Sequence, residues 1–553
     1  MDIQRVSLAV EGMTCDHCAV ALRRTLTAVP GVEQAEVSLS EKRADISANG
    51  IAPEALVRAV ESAGYQASVI EPPTSAAAPL RAEHTSSGTT PDIVVLGGGS
   101  AGFAASIRAA DLGARVTLIE GGTLGGTCVN VGCVPSKTLI RAAEVQHRAT
   151  RHGFDGVHTA AEPPDFAQVM AQKDALVTTM RQEKYRDVLA AYPSVTLREG
   201  RGTVNPDLSV TIDGGVLKPG RLIVTTGASP WAPPIPGLAD AGYLTSTEAL
   251  ALTALPVSMI VIGGSAVGLE IAQLYARLGT HVTVLEAMPT LVPAEDRQVG
   301  MALAEYLREE RLDVRTGVSI HGVSRDGAAY TVDATTHGRA QAITAEQLLV
   351  ATGRRARSQG FGLEAAGIEL GAKGEIRVDE HLQTSRSAVY AAGDVIGEPM
   401  FVYVAAYGGH LAADNALNGN RRRYDLTALP RVTFTDPQVA SVGATAEEAR
   451  TQGLDVAVST LPLSYVPRAL AAHESRGFIK LVADRRTNRL VGAHILASEA
   501  GEMIQEPTLA ITHGISIDEL AGAFHPYLTL AEAVKLAAQT FTKDVKKLSC
   551  CAA

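Results

Sequence analysis

The chain has 553 residues, 46% hydrophobic and 20% charged, an ordinary composition for a packed soluble protein of roughly three or four domains. Its 49 basic and 59 acidic residues give a net charge of −10 without a basic stripe, which argues against nucleic acid as a partner. No apolar run approaches the ~18 residues that span a bilayer and the first residues lack a signal-peptide pattern, so we expect a cytoplasmic protein that does not associate with membranes.

The first segment, residues 1–70, has the element order βαββαβ. Alternating runs such as VSLAV and VEQAEVSLS predict strands, and ALRRTLTAV and PEALVRAVESAG predict helices, the second between Pro53 and Gly64. This order predicts a ferredoxin-like sandwich. Residues 71–91 contain four prolines and several small polar residues without apolar periodicity, which predicts a flexible linker.

Two cysteines, Cys15 and Cys18, lie in the loop GMTCDHC between the first predicted strand and helix. Two thiols separated by two residues, one of them in the first turn of a helix, suit a two-coordinate soft cation. Two cysteines alone do not complete a four-ligand zinc site. The module resembles heavy-metal-associated domains, and the resemblance implies that this loop binds Cu(I) or Hg(II).

A glycine-rich turn follows the linker in DIVVLGGGSAGFAASIRAADLGARVTLIE, between a predicted strand and a predicted helix. Gly97, Gly99 and Gly102 match G-x-G-x-x-G, and Glu120 ends the next strand. Glycines at these positions allow a tight turn and let a helix N-terminus approach a pyrophosphate, while the acid accepts bonds from ribose hydroxyls. The segment therefore predicts a dinucleotide-binding unit.

A second such unit, SMIVIGGSAVGLEIAQLYARLGTHVTVLE, is less regular. It keeps Gly263 and Gly268, but Ser265 occupies the middle glycine position, where a side chain could crowd a phosphate. Glu286 ends its second strand, and no Arg or Lys occurs in the following AMPTLVP. A carboxylate here favours a free 2′-hydroxyl over a 2′-phosphate, so the residues favour NADH; a solvated acid at a strand end is the alternative.

The segment GGTCVNVGCVPSK places Cys128 and Cys133 just after the first unit, with Lys137 four residues later. On a helix, Cys133 and Lys137 share a face. A nearby cation and a helix N-terminus both lower the pKa of a thiol, so the pattern predicts a redox pair; two buried structural cysteines are the alternative.

From about residue 92 onward the chain resembles the flavoprotein disulfide reductases, the family of glutathione reductase and dihydrolipoamide dehydrogenase. The motifs that carry the resemblance are GGTCVNVGCVPSK and VYAAGDV, which contains Asp394. It implies FAD and a nicotinamide cofactor, with Cys133 as the thiol touching the flavin. The residues that it assigns to the cofactors are Gly97, Gly99, Gly102, Glu120, Thr127, Asp394 and, near the flavin, Lys137 paired with Glu270, with Gly263, Gly268 and Glu286 at the second unit.

The same resemblance implies the domain organisation. We expect an α/β protein with an FAD-binding domain in two parts (92–245 and 376–427), an NAD(P)-binding domain (246–375) and an α+β dimerisation domain (428–553) that forms a homodimer. Strand-like runs such as VTFTD, FIKLVAD and LVGAHILA, alternating with helices, independently predict an α+β domain from about residue 428.

The C-terminal segment departs from the disulfide reductases, which carry a segment H-P-x-x-x-E that handles protons. Here His525 and Pro526 are present, but Leu530 stands at the glutamate position and Glu532 lies two residues further on. We therefore expect His525 to lack an orienting carboxylate, which disfavours reduction of small disulfides. A hydrogen-bonded interface histidine is the alternative.

The last residues, KKLSCCAA, contain adjacent Cys550 and Cys551. A disulfide between neighbours is strained, so the pair suits a soft ion, which a mobile tail can carry to a buried site. CCAA also fits a prenylation box, with Lys543, Lys546 and Lys547 upstream, but Cys551 is a poor aliphatic residue and nothing else indicates lipid.

Across nearly all 553 residues the motifs together resemble the mercuric reductase family. The supporting motifs are HPYLTL with Tyr527, VTFTDPQVASVG, QEKYRDVL with Tyr185, and KLSCCAA. The resemblance implies that both tyrosines line the metal site beside the redox cysteines and that the tail of one subunit serves the redox pair of the other. It also implies NADPH, whereas Glu286 favours NADH.

We therefore expect thiol-bound Hg(II) to pass from Cys15 and Cys18, through Cys550 and Cys551, to Cys128 and Cys133, where it is reduced to Hg(0). One alternative is a dihydrolipoamide dehydrogenase or glutathione reductase relative with an acquired metal domain. The other is a copper chaperone or metal buffer whose flavin core only keeps thiols reduced.

Overall fold

The computed structural model describes residues 4–11, 22–23, 25–27, 29, 31–38, 43–49, 51–63, 65–69 and 92–548. The chain divides into two compact units, Met1–Gly88 and Thr89–Ala553. The four cysteines of the two outer pairs and the predicted linker lie outside the described residues: Cys15, Cys18, Cys550, Cys551 and 71–91. The described part of the chain contains no helix that is both long and apolar enough to cross a bilayer.

The N-terminal unit is built on a four-stranded antiparallel sheet. Its strands, in spatial order, are Val32–Ser38, Arg43–Ala48, Gln4–Glu11 and Gln66–Val69. The helix Pro53–Ser62 begins with a proline. Because the N–H groups of the first helical turn have no partner within the helix, a proline there costs no hydrogen bond. Leu56 and Val60 on this helix pack with Leu22 and Leu26 of the other helical segment over the sheet. The predicted ferredoxin-like order is confirmed.

The larger unit begins with a five-stranded parallel sheet. In spatial order its strands are Val389–Ala391, Arg221–Val224, Asp92–Leu96, Arg115–Glu120 and Val195–Glu199. The helices Ser100–Asp111 and Val402–Asn418 pack closely, since a Cβ on Gly409 would lie 2.0 Å from the carbonyl oxygen of Ala101. A small antiparallel sheet is attached, with strands Gly215–Leu217, Val210–Ile212 and Thr203–Val204.

A second parallel sheet has four strands: Asp313–Arg315, His281–Leu285, Ser258–Ile262 and Gln347–Val350. The helices Ala266–Leu278 and Arg297–Glu309 belong to this unit, and an antiparallel sheet adjoins it, with strands Val318–Asp326, Ala329–Thr336 and Arg339–Ala345. The strands Ala228–Pro230 and Arg354–Ala356 pair antiparallel and connect the two nucleotide-binding units.

The last domain has a five-stranded antiparallel sheet with strands Arg431–Thr433, Gln438–Gly443, Arg489–Ala497, Phe478–Asp484 and Val456–Pro462. Its helices are Ala446–Thr451, Pro467–Ala471, Ala500–Met503, Gln505–His513, Ile517–Gly522 and Glu532–Gln539. The other helices of the larger unit are Gly126–Val131, Cys133–Arg148, Phe166–Arg181, Asp187–Ala190, Leu238–Ala241 and Ser246–Ala249. The predicted α/β units followed by an α+β domain are confirmed.

Candidate active site

A cavity of about 790 Å³ lies at the carboxyl ends of the first parallel sheet, the edge where α/β proteins bind ligands. It brings together side chains that are nearly 300 positions apart in the sequence. Its lining includes most of the predicted cofactor and redox residues: Gly97, Gly99, Glu120, Thr127, Cys128, Cys133, Lys137, Glu270 and Asp394.

The glycine turn of the first unit is shaped by close packing. Gly97 has φ +113°, and a Cβ there would lie 2.4 Å from the carbonyl oxygen of Thr225. A Cβ on Gly102 would lie 1.8 Å from the oxygen of Gly97. Gly99 is not tightly packed, because the nearest atom to a Cβ there would be the Cα of Gly126 at 3.7 Å. Gly99 therefore presents backbone without a side chain to the cavity.

The polar groups around that bare backbone fit a dinucleotide. The helix Ser100–Asp111 starts in the cavity wall without a side-chain cap, which is a favourable site for a pyrophosphate. Glu120 accepts hydrogen bonds from the N–H groups of Gly98 and Gly122, both at 2.6 Å, and its carboxylate is thereby fixed at the cavity edge. In the described residues the Oδ1 of Asn130, which lines the cavity, is buried without a partner. The residues present fit FAD.

Asp394 lies in the same cavity opposite an arginine that the sequence analysis did not single out. Burial raises the pKa of Asp394, and the guanidinium of Arg354, 3.9 Å away, opposes that rise. Arg354 also donates to the carbonyl of Ala228 at 2.6 Å and lies 3.5 Å from the hydroxyl of Thr127. The only sequence signal is the run GRRAR after the last strand of the second unit, and it does not reveal that this side chain reaches the first cavity.

The two central cysteines lie at a helix start on the cavity wall. Cys128 is in the helix Gly126–Val131, and Cys133 is the first residue of the helix Cys133–Arg148. Both are free thiols and partly exposed. A hydrogen bond from Cys128 lowers the pKa of Cys133 to about 7, against burial and with help from Lys137, while the same bond and burial raise the pKa of Cys128. Of the two thiols, Cys133 is therefore the one that ionises first, and a substantial fraction of it is thiolate near neutral pH.

The expected ion pair beside the cysteines is present. The ammonium of Lys137 lies 2.6 Å from Oε2 of Glu270, whose side chain is buried. The other oxygen, Oε1, accepts the N–H of Phe434 at 2.9 Å, and the ring centroid of Phe434 is 4.4 Å from the ammonium. The position of Phe434 in the sequence does not reveal this role, because its contact with the lysine is made only in the tertiary structure.

The two predicted tyrosines differ in position. Tyr185 lies in the π-helical turn Gln182–Arg186 with its ring 4.7 Å from that of Phe103. Burial raises the pKa of Tyr185, and the nearby charges of Cys128 and Cys133 add to the rise, so its hydroxyl lies near the redox pair. Tyr527 is 56% exposed and does not line this cavity within its own chain.

The second glycine turn repeats the geometry of the first. Gly263 has φ +114°, and a Cβ on Gly268 would lie 2.1 Å from the oxygen of Gly263. Ser265 precedes the helix Ala266–Leu278 and is exposed. The carboxylate of Glu286 accepts the N–H groups of Gly264 at 2.6 Å and Met288 at 2.7 Å, so it is a fixed, buried charge at the end of its strand.

The expectation that His525 lacks an orienting carboxylate is wrong. Its Nε2 lies 2.8 Å from Oε1 of Glu506, on the helix Gln505–His513, and its Nδ1 lies 3.2 Å from the carbonyl of Ala523. The acid comes from an earlier helix, a tertiary contact that motif spacing does not reveal. Glu532 instead accepts the N–H of Leu528 at 3.3 Å.

Fold and site together define an oxidoreductase with two dinucleotide-binding units and a reactive dithiol on the wall of the first cavity. Three family models match the chain: the pyridine nucleotide-disulphide oxidoreductases over residues 91–409, their dimerisation domain over 429–538, and the heavy-metal-associated domain over 7–66.

Relatives with this architecture have one name in common. A mercuric reductase of Acidithiobacillus ferrooxidans is 44% identical, covering 99% of this chain and 98% of that protein, and one of Shigella flexneri is 45% identical, covering 99% and 100%. A solved structure of an HOCl-induced flavoprotein disulfide reductase from Escherichia coli, in its Cu(II) complex, matches with a TM-score of 0.74 and 29% identity over 82% of this chain and 100% of that one. The chain therefore belongs to the mercuric reductases within the pyridine nucleotide-disulphide oxidoreductase family, which works with FAD and NAD(P)H.

Proposed function

We propose that this chain reduces thiol-bound Hg(II) to Hg(0) with electrons from NAD(P)H, for mercury detoxification. The observation that carries the proposal is the Cys128–Cys133 pair, two free thiols with the pKa of Cys133 lowered, on the wall of a cavity that fits FAD. Full-length similarity to mercuric reductases, including the metal-binding module, supports mercury as the substrate. The overall reaction is NAD(P)H + Hg(II) → NAD(P)⁺ + H⁺ + Hg(0).

The groups assigned to FAD are the bare backbone of the first glycine turn for the pyrophosphate, Glu120 for ribose hydroxyls, and Thr127 and Asp394 further along the cavity. FAD held by these residues would supply two-electron transfer from the nicotinamide to the metal. Lys137, held by Glu270, keeps a positive charge near Cys133.

The redox cysteines capture mercury by ligand exchange. The Cys133 thiolate attacks Hg(II) held by two carrier thiols, forms a sulfur–mercury bond and displaces one carrier thiolate. Cys128 then binds as the second sulfur, and its proton leaves with the second carrier as a neutral thiol. Because mercury prefers two soft ligands in a nearly linear arrangement, both sulfurs are used. Reduction to Hg(0) frees both cysteines as thiolates.

Two further cysteine pairs are proposed to deliver the metal. Hg(II) passes from Cys15 and Cys18 of the N-terminal module to Cys550 and Cys551 of the tail, and the tail of one subunit of a homodimer serves the redox pair of the other. In that assembly, Tyr185 and Tyr527 line the metal site. A double Cys550→Ala, Cys551→Ala variant should turn over thiol-bound Hg(II) more slowly, and unchanged turnover would contradict the role of the tail.

NADH is the proposed preferred reductant, although the mercuric reductase family generally uses NADPH. The fixed carboxylate of Glu286 occupies the strand end where a 2′-phosphate would lie. Comparing kcat/KM for NADH and NADPH tests this proposal, and Glu286→Gln should move the ratio towards NADPH. A wild-type preference for NADPH would contradict it.

The central experiment follows NAD(P)H consumption by the purified enzyme with and without Hg(II) under excess thiol, while volatile metal is trapped. We expect Hg(II)-dependent oxidation with one Hg(0) trapped per NAD(P)H, and no metal vapour from a Cys133→Ala variant. Oxidation without metal vapour would refute the proposed reaction.

Reduction of a small disulfide is the second candidate function, because the His525–Glu506 pair supplies an oriented base of the kind that such enzymes need. Turnover of lipoamide or glutathione disulfide at ordinary rates without mercury turnover would favour it. Glu506→Gln should then lower disulfide turnover, whereas Glu532→Gln, which alters the neighbouring acid bonded to Leu528, should not.

A further inference from the structure

Lys137, the lysine beside the redox cysteines, is held in place by specific contacts rather than by burial. Its side chain keeps 34% of its surface exposed, beside the cavity that holds the cysteines. Two groups fix the ammonium: the carboxylate of Glu270 at 2.6 Å and the ring face of Phe434 at 4.4 Å. A cation over an aromatic face within about 6 Å is attracted by the electron density of the ring.

Phe434 contacts the ion pair a second time through its backbone. Its N–H donates to Oε1 of Glu270 at 2.9 Å, while Oε2 holds Lys137. Both oxygens of a buried carboxylate are therefore engaged, one by the lysine and one by the residue whose ring covers that lysine. The two contacts together leave the pair little freedom to rearrange.

The segment 434–436 is itself fixed along the helix Ala266–Leu278. Glu270, Gln273 and Arg277 lie on one face of that helix. Gln273 exchanges two hydrogen bonds with the backbone of Asp436, each 2.8 Å, and Arg277 binds the side chain of Asp436 at 2.9 Å. Because these contacts continue for two helical turns, Phe434 has a fixed place over the lysine.

We propose that Phe434 is a positioning residue of the dithiol site, whose ring and N–H hold Lys137 and Glu270 so that the dimerisation domain fixes the redox lysine of its own chain. The inference concerns the same dithiol as the proposed function and goes beyond it by assigning a role to this domain in cis. Neither measurement below uses mercury, so a negative result for Phe434 can be distinguished from a failure of mercury reduction.

The first test measures how well Lys137 is covered in the full-length holoenzyme. Acetylation of Lys137 is followed by peptide mapping, with the exposed Lys218 as an internal standard. Phe434→Leu keeps the N–H but loses the ring, and it should raise the labelling rate of Lys137 roughly two- to five-fold, the factor of one partly exposed cation–π contact. Phe434→Tyr should restore the wild-type rate, and Phe154→Leu, which alters a half-exposed ring elsewhere, should not change it. Equal labelling of Lys137 in Phe434→Leu and wild type overturns the proposal.

The second test measures whether the loss of the Phe434 ring changes the reactivity of Cys133, and whether that change depends on Lys137. Phe434→Leu should slow alkylation of Cys133 in the reduced holoenzyme at pH 7, and it should add nothing in a Lys137→Met background. An equal effect with and without Lys137 would show a general loss of structure and overturn the proposal. If Phe434→Leu does not fold, Gln273→Leu, which removes the next contact along the helix, should give the same pattern, and wild-type rates in that variant would also overturn it.

Discussion

The hydrogen bond between the redox cysteines makes a quantitative prediction about their reactivity. The bond from Cys128 is the largest contribution that lowers the pKa of Cys133, from an ordinary 9.0 to about 7. With a pKa of about 7, half of Cys133 is thiolate at pH 7; with a pKa of 9.0 about one molecule in a hundred is. Cys128→Ala, which removes the donor, should therefore slow alkylation of Cys133 at pH 7 by up to about 50-fold.

Peptide-resolved alkylation of the reduced enzyme between pH 5 and 10 is the assay, because it separates Cys133 from the other cysteines. In the wild type the rate should rise through a midpoint near pH 7, since the thiolate forms as the pH passes the lowered pKa of Cys133. Cys128→Ser keeps a donor and should stay close to that midpoint, whereas Cys128→Ala should move it upward. If both variants titrate like the wild type, the hydrogen bond does not set the pKa and the reasoning fails.

Two further predictions concern the buried ion network and the glycine turn. The side chain of Glu310 is buried and bonded to Arg277 and Arg476. Burial raises its pKa, but these bonds and charges outweigh that effect and lower the pKa to about 2. The ionised carboxylate therefore contributes stability that is fully present above pH 4.5, the ordinary pKa, and is lost as the pH falls towards 2. Glu310→Gln should lower the free energy of unfolding at pH 7 by about 1–3 kcal/mol, because Arg277 loses one of its two carboxylate partners and keeps Asp436. Chemical denaturation measures this, and the exposed neighbour variant Glu309→Gln should change it little; equal stabilities would contradict the prediction. Gly102→Ala places a Cβ 1.8 Å from the carbonyl oxygen of Gly97 and should yield protein without bound flavin. Gly156→Ala, whose Cβ would have no atom within 4 Å, should retain the flavin. Flavin absorbance of the purified variants measures the difference, and equal flavin content would contradict the prediction.

Local patterns predicted the parts of the site that are built from contiguous residues. The glycine turns and the acids at the strand ends follow from strand, turn and helix signals within about 30 residues. For the segment after Cys133 a helix was only assumed, and the structure shows that it begins at Cys133. The pairing of Lys137 with Glu270 followed only from family resemblance, because those residues are far apart in sequence. The C-terminal domain was predicted as α+β from its alternation, but not the order of its strands.

The residues that the motifs do not reveal contact the site from other elements of the fold, two of them from another domain. Arg354, Phe434 and Glu506 each contact a predicted site residue from a different element. Phe434 lies within the motif VTFTDPQVASVG, but the motif does not reveal its contact with Lys137. Glu506 is the clearest case, because a carboxylate for His525 was sought at a fixed spacing downstream and is supplied from an upstream helix. Motif spacing encodes neighbours along the chain, whereas these contacts depend on how distant elements pack within and between domains.

The edge strand Val389–Ala391 of the first sheet has a consequence for biosynthesis. It pairs with Arg221–Val224, yet the entire second nucleotide-binding unit is translated between them. A nascent chain emerging from the ribosome thus exposes an unfinished sheet edge until residue 391 appears, and Asp394 follows immediately. Because domains generally fold as units during synthesis, we expect the second nucleotide-binding unit to begin folding before the edge strand is added, so that the flavin site is assembled around it.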